Sequence, residues 1–296
     1  MKKLKIIIDS MSTVADDFIK EFDLFVVPYT ISDLDGNLIK DDFSESQKDK
    51  ICSLIESGNE QKTSFVPEAL LEEYLKPFLK TYERVIYISA APGFTSQFET
   101  SKCLMEKYQN LWIFNSNAIA STIESQVREV SQLLSKNSNV TYDELQKLIF
   151  DISERSIILF SPKDVSGLLK GGRAPKILVK ILKLTKTYPV VLCEEKNKST
   201  SVLTRKWDEI WNKITETAKK SFNGKLDGET IKFLYLYNSL LTQEELKSIQ
   251  KKIAKIFNIA SEQIKIRLTP MPILVHVLRH SVGIGLTTIN VYKHKK

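Results

Sequence analysis

Four short apolar runs, each joined to the next by a stretch of helical period, constrain this chain more than any other feature. The runs are Ile6-Ile7-Ile8, Leu24-Phe25-Val26-Val27, Val85-Ile86-Tyr87-Ile88 and Leu111-Trp112-Ile113-Phe114. A helix capped by Ser12 or Thr13 is expected through about Phe22, with others over about 46–55, 67–80, 95–109, 119–134 and 142–154. Strands that are apolar throughout, alternating with amphipathic helices, specify a parallel sheet covered on both faces. In such sheets a ligand sits beyond the carboxyl ends of the strands. Asp9-Ser10, Ser89-Ala90 and Asn115-Ser116 fall at those ends.

After about Phe160 the order changes. Tyr188–Cys193 and Thr200–Arg205 read as a hairpin around the polar turn 194–199. Helices are expected over 207–221 and 244–257, and strands over 230–237, 264–268 and 285–292. The fold class is therefore α/β with two domains. Residues 1–160 form an N-terminal parallel-sheet, Rossmann-like α/β domain, and residues 161–296 a C-terminal α+β two-layer domain.

Several function classes find no support. No apolar run reaches the length of a membrane span. The apolar start is cut short by Asp9 and has no cleavage site after it, so a signal peptide is not expected and the cytoplasm is the expected compartment. The cysteines, Cys52, Cys103 and Cys193, form no CxxC, and neither a zinc site nor a disulfide framework is expected. Lysine and arginine exceed the acids by 43 to 36, a formal charge of +7. These charges are spread along polar helix faces such as Lys247, Lys251, Lys252 and Lys255, so nucleic acid is not an expected partner. Walker A and GxSxG motifs are absent, and the chain has only three histidines. The reading is a binding protein without metal or cofactor, and not an enzyme.

The segment Gly167-Leu168-Leu169-Lys170-Gly171-Gly172-Arg173 carries the strongest local signal. Paired glycines let the backbone approach a ligand closely, and a guanidinium fork fits a carboxylate or phosphate. The same residues also suit a helix C-cap followed by an exposed arginine. Thr63 could hold an anion or cap a helix, and His276 could donate to a carboxylate or sit satisfied in an apolar core. The residues alone leave these alternatives open.

In order along the chain, several segments resemble motifs of the DegV family, bacterial proteins that bind fatty acids. They are Asp9-Ser10, Asp35-Gly36, Asp41-Asp42, Lys62-Thr63-Ser64, Gly171-Gly172-Arg173, and His276 with Gly283 beyond it. The resemblance covers nearly the whole chain. It implies a ligand site drawn from Thr63, Ser64, Gly93, Thr95, Gly172, Arg173 and His276. It also implies that the C-terminal domain binds the lipid. The bound ligand would be a long-chain fatty acid, and a separate fatty acid kinase subunit would convert its carboxylate to an acyl phosphate for phospholipid synthesis. Transient contact with a membrane surface goes with that role. The chain also departs from the family. Gly93 stands where the family has a ligand-contacting serine, and Leu278-Arg279-His280 where it has Gly-Pro-Gly. A paralogue with a different ligand is therefore an alternative. So is a small-molecule α/β enzyme, a hydrolase or phosphotransferase, using Ser10, Ser89 or Ser116.

A fatty acid sets two requirements. Each buried CH₂ contributes roughly 0.8 kcal/mol, so the tail needs a dry channel. The carboxylate cannot be buried unpaired, so donors must converge on it. Leu178, Ile181, Leu182, Val190 and Leu192 are tail candidates, and ordinary core packing is the alternative for each.

Overall fold

The computed structural model of the protein describes residues 2–32, 35–57, 61–167, 180, 182–193 and 198–294. Within these residues the apolar runs become strands of two main sheets. In the first, β1 (Lys2–Asp9) lies between β2 (Phe25–Val27) and β6 (Tyr82–Ser89), and β7 (Leu111–Asn115) completes the order β2-β1-β6-β7. All three pairings are parallel, with Ile8 opposite both Val26 and Ile88, and Ser89 opposite Asn115. This register places the carboxyl ends of β1, β6 and β7 in one row.

A small antiparallel sheet follows β2. It has the order β4-β3-β5, from β3 (Thr30–Ser32), β4 (Leu38–Lys40) and β5 (Lys62–Ser64). Gly36, at φ +81°, makes the turn between β3 and β4, a conformation glycine reaches without steric cost. Lys62-Thr63-Ser64 is thus a strand paired with β3, not a loop before a helix.

The helices of this half are α1 (Asp16–Glu21), α2 (Glu45–Glu56), α3 (Glu68–Thr81), α4 (Gln97–Ser101), α5 (Leu104–Lys107), α6 (Ser121–Lys136) and α7 (Tyr142–Glu154). Two expectations are corrected. First, α1 starts at Asp16 after Ala15, and neither Ser12 nor Thr13 caps it. Ser12 instead donates to the Asp9 carbonyl at 2.6 Å. Second, the helix expected over 95–109 is broken into α4 and α5. Thr100 and Ser101 turn their hydroxyls back onto the carbonyls of Ser96 and Phe98, which competes with continuation of the helix.

The second sheet has six strands, β8 (Ser156–Ser161), β9 (Tyr188–Cys193), β10 (Lys198–Thr204), β11 (Ile231–Asn238), β12 (Ile264–Leu268) and β13 (Val282–Thr288), in the order β10-β9-β8-β13-β11-β12. Only β11 and β12 pair in parallel, so the sheet is mixed. The last strand starts at Val282, three residues earlier than its composition suggests.

Alternation along the strands explains the layering. Ile158 and Phe160 of β8, with Tyr235 and Tyr237 of β11, belong to the large core that also holds the first sheet. Their neighbours Ile157, Leu159, Leu234 and Leu236 belong to a second core, against α8 (Ile210–Ser221) and α9 (Gln243–Phe257). Successive side chains of a strand face opposite ways, so the six-stranded sheet is covered on both sides. Helices α6 and α7 contact β8 as well as each other, with α6 also on β13 and α7 on β7, so this pair separates the two sheets.

That position explains why the N-terminal half of α6 is buried although it reads Ser121-Thr122-Ile123-Glu124-Ser125-Gln126. Ser121 Oγ lies 2.6 Å from Tyr237 Oη, and Ser125 Oγ 3.0 Å from Thr287 Oγ1. Gly285 faces the same contact, and a Cβ there would overlap Ser121 Oγ and Tyr237 Oη. Gly285→Ala is expected to cost about 1–3 kcal/mol through overpacking, read as a lower urea midpoint with an unchanged m-value.

Candidate functional site

At the carboxyl end of β1 the Asp9 carboxylate is fully buried. Its Oδ1 accepts from Met11 N at 3.2 Å. Its Oδ2 accepts from Ala90 N at 2.8 Å and from the phenols of Tyr29 and Tyr87, each at 3.3 Å. Desolvation raises its pKa to about 6, opposed by these donors. The effect is to tie the end of β1 to the end of β6 and to Tyr29, which follows β2.

Tyr29 Oη also lies 3.2 Å from Thr95 Oγ1. Thr95 is half-buried and precedes α4, and its oxygen accepts from Gln97 N at 3.3 Å. The Gln97 side chain then grips the backbone of Val66 twice. Its Oε1 accepts from Val66 N at 2.8 Å, and its Nε2 donates to Val66 O at 3.2 Å. This clamp holds the chain just after β5 against the Thr95 turn.

On β5, Thr63 turns inward and its Oγ1 lies 3.4 Å from His276 Nε2. His276 is buried near the end of α10 (Met271–Val277), a helix with every residue buried. Thr63 and His276 therefore meet from distant parts of the chain, and Thr95 is tied to the segment after β5 through Gln97 and Val66. The Thr63 hydroxyl and the His276 ring nitrogen are both groups able to bond a small acidic group.

Gly167 packs against the far side of His276. A Cβ on Gly167 would overlap the His276 carbonyl oxygen. Gly167 is thus seated on the end of α10, while Gly172 and Arg173 lie outside the described residues. Ser64 is exposed, as expected for the residue next to an inward Thr63 on a strand. Gly93 is exposed in the turn at 92–94 and contributes no side chain. Of the tail candidates, Val190 and Leu192 pack in the second core and Leu182 is buried. Leu178 and Ile181 lie outside the described residues.

The turn after His276 enters left-handed backbone without a glycine. Leu278 has φ +64° and ψ 177°, and His280 has φ +57°. Non-glycine residues there cost of order 1–3 kcal/mol each, so the turn is held by its surroundings. The His280 amide donates to the Ser239 carbonyl at 2.8 Å.

Two functional positions escaped the sequence reading. Tyr29 lies just past the apolar run 24–27, and Gln97 within the helix expected over 95–109, and neither is among the expected site residues. A phenol two residues beyond an apolar strand, with an aspartate ending the adjacent strand, was the available signal for Tyr29.

Ser10, Ser89 and Ser116 are all fully buried. Ser10 Oγ accepts from Tyr29 N at 3.0 Å, and Ser116 Oγ donates to Ala118 O at 2.7 Å. A nucleophile must be reachable by its substrate, which speaks against the enzymatic alternative at these serines. Among the described residues no group of three or more His, Cys, Asp or Glu is placed to hold a metal ion. No helix among them is long and apolar enough to cross a membrane. A cavity of about 400 Å³ opens between the loop after β1 and the start of α10, beside Thr13, Asp41, Lys48 and Arg267. Val14, Phe43, Leu268 and Met271 line it as well.

A family model described as "Uncharacterised protein, DegV family" matches residues 3–288. This chain belongs to the DegV family. A DegV domain-containing protein of Ureaplasma parvum serovar 3 is 28% identical over 294 residues, covering 99% of this chain and 98% of that one. A DegV lipid binding protein of Thermotoga maritima superposes with TM-score 0.82 at 16% identity, covering 98% of this chain and 99% of its own. The Streptococcus pneumoniae fatty acid kinase (Fak) B3 protein loaded with linoleic acid superposes with TM-score 0.76 at 17% identity, covering 97% and 100%. At these identities the likeness establishes the DegV fold.

Proposed function

We propose that this DegV protein is a fatty-acid carrier of the cytoplasm. Thr63, Thr95 and His276, with the Arg173 guanidinium, hold the carboxylate of a long-chain fatty acid. The tail lies in an apolar channel of the C-terminal domain, residues 161–296, next to the Rossmann-like domain of residues 1–160. A separate kinase then phosphorylates the carboxylate, and a brief membrane contact serves loading and release. The observation that carries this reading is the Thr63–His276 contact of 3.4 Å, made across 213 positions of sequence. Nothing in the packing of an apolar helix calls for a histidine facing a threonine from another sheet, whereas an acidic head group does. Fatty-acid-bound relatives of the same fold support the choice of ligand.

Hydrogen bonds to a charged group contribute about 1.5–3 kcal/mol each. Thr63→Val combined with His276→Ala is therefore expected to weaken palmitate binding at least about tenfold, and Arg173→Ala to weaken it comparably. Calorimetric titration of delipidated protein measures this. Unchanged affinity in both variants would remove the head group from this site.

A further inference from the structure

The Tyr29 phenol has one proton and two oxygen neighbours at almost equal range, Asp9 Oδ2 at 3.3 Å and Thr95 Oγ1 at 3.2 Å. It can donate to only one of them at a time. While Asp9 is ionised, its carboxylate takes the phenolic proton, because an anionic acceptor makes the stronger bond. The Tyr29 oxygen then accepts from Thr95, and the Thr95 proton is committed inward. The remaining contact to Thr95 Oγ1, from Gln97 N, also finds it an acceptor. In that arrangement Thr95 offers a carboxylate only lone pairs.

We propose that Tyr29 is a positioning residue of the head-group site, which reverses the Thr95 hydroxyl toward a bound carboxylate when Asp9 takes up a proton. In the reversed chain, protonated Asp9 donates to Tyr29, Tyr29 donates to Thr95, and Thr95 donates to the ligand. One proton is taken from solvent for each carboxylate bound, and no covalent bond changes. Burial already brings Asp9 to about 6, so the proton is within reach near neutral pH. The arrangement also answers the loss of a ligand-contacting hydroxyl at Gly93, since Thr95 becomes the donor from that turn.

The groups around Asp9 bound the effect. Tyr29 faces it from the β2–β3 junction, and Tyr87 and Ser89 face it from β6. Beyond Ser10 lies Asp41, raised to about 7 by burial, with Asp42 raising it further and Lys48 on α2 opposing. His276 approaches from α10 at Thr63. Asp41 is the rival source of a proton, but its amide donates to the Tyr29 carbonyl and its carboxyl bonds Ser10, and neither contact reaches the Tyr29 phenol through which Thr95 would be turned.

This inference rests on the fatty-acid reading, and decanoate is a suitable probe, with decanol as the chain without a carboxylate. Affinity is measured from pH 6 to 8, together with proton uptake from calorimetry in buffers of different ionisation enthalpy. For the unaltered protein, decanoate affinity is expected to fall at least about fivefold over this range, with net proton uptake, as linkage to a group titrating near the lower limit requires. Decanol affinity should be flat. Tyr29→Phe frees the Thr95 proton, so its decanoate affinity should change less than about twofold over the same range, with uptake lost. Thr95→Val leaves Tyr29 and Asp9 in place and should lose the pH dependence as well, and Asp41→Asn should keep it. Decanoate binding without proton uptake, or the same slope in Tyr29→Phe and Thr95→Val, would overturn the relay while leaving the carrier reading intact. No decanoate binding by any of the proteins at any pH would overturn both.

Discussion

Asp9→Ala is expected to lower the unfolding free energy by about 3–6 kcal/mol, measured by urea denaturation at pH 7. The carboxylate is the shared acceptor for the amides of Met11 and Ala90 and the phenols of Tyr29 and Tyr87, all buried. Removing it strands these donors, and each unsatisfied group costs about 1–3 kcal/mol. Part of that loss is returned, because a buried charge is removed too. The pH dependence gives a second reading. The folded-state pKa of Asp9 lies near 6, above its ordinary 3.8, so the native state holds this proton more tightly than the unfolded chain. Its contribution is fully present below about pH 4 and is lost as pH rises to about 6. That loss is on the order of 2–3 kcal/mol in the unaltered protein. The variant should lack it, leaving the decline due to Asp41, which runs on to about pH 7.

Glu124→Ala is expected to be nearly as damaging, at about 3–5 kcal/mol. The Glu124 carboxylate is fully buried on α6. It pairs with Arg128 at 3.3 Å on its own helix, and with Arg267 at 3.0 Å and Lys265 at 3.7 Å on β12. Among the described residues it is the one acid these three cations share. Without it, Arg267, only 15% exposed, is left near Lys265 and Arg128 with no counter-charge from α6. Glu124→Gln keeps the shape and should recover part of the loss, since the amide oxygen still accepts. An effect below about 1 kcal/mol would mean that water, not Glu124, solvates these cations.

Much of the first sheet was legible. Strands such as Ile6–Ile8 and Val85–Ile88 are apolar at every position because helices cover both faces, and that pattern survives without any tertiary information. The small sheet was not legible, because three-residue strands such as Lys62–Ser64 are too short to show a period. The polar start of α6 misled for a different reason. Ser121, Glu124 and Ser125 look like a solvent face, yet a helix wedged between two sheets buries that face and satisfies it with Tyr237, Arg267 and Thr287. The charge pattern misled in the same way, since Arg155 is buried and bonded to Asp151, Glu129 and the carbonyls of Thr288 and Ile289.

The candidate site was legible only through the family resemblance. Thr63 and His276 are unremarkable one at a time, and a separation of 213 positions leaves no local trace of their contact. Tyr29 and Gln97 were hidden because their roles depend on what lies opposite. A phenol becomes a relay only beside Asp9, and an amide becomes a clamp only beside the Val66 backbone.

The most direct test of the carrier reading is the protein's own cargo. Freshly purified protein, examined intact by native mass spectrometry and then by solvent extraction, should release a stoichiometric long-chain fatty acid. The same protein, stripped and offered palmitate, should take it up again. Protein that carries no acyl chain from the cell, and leaves added palmitate in solution after stripping, would contradict the account.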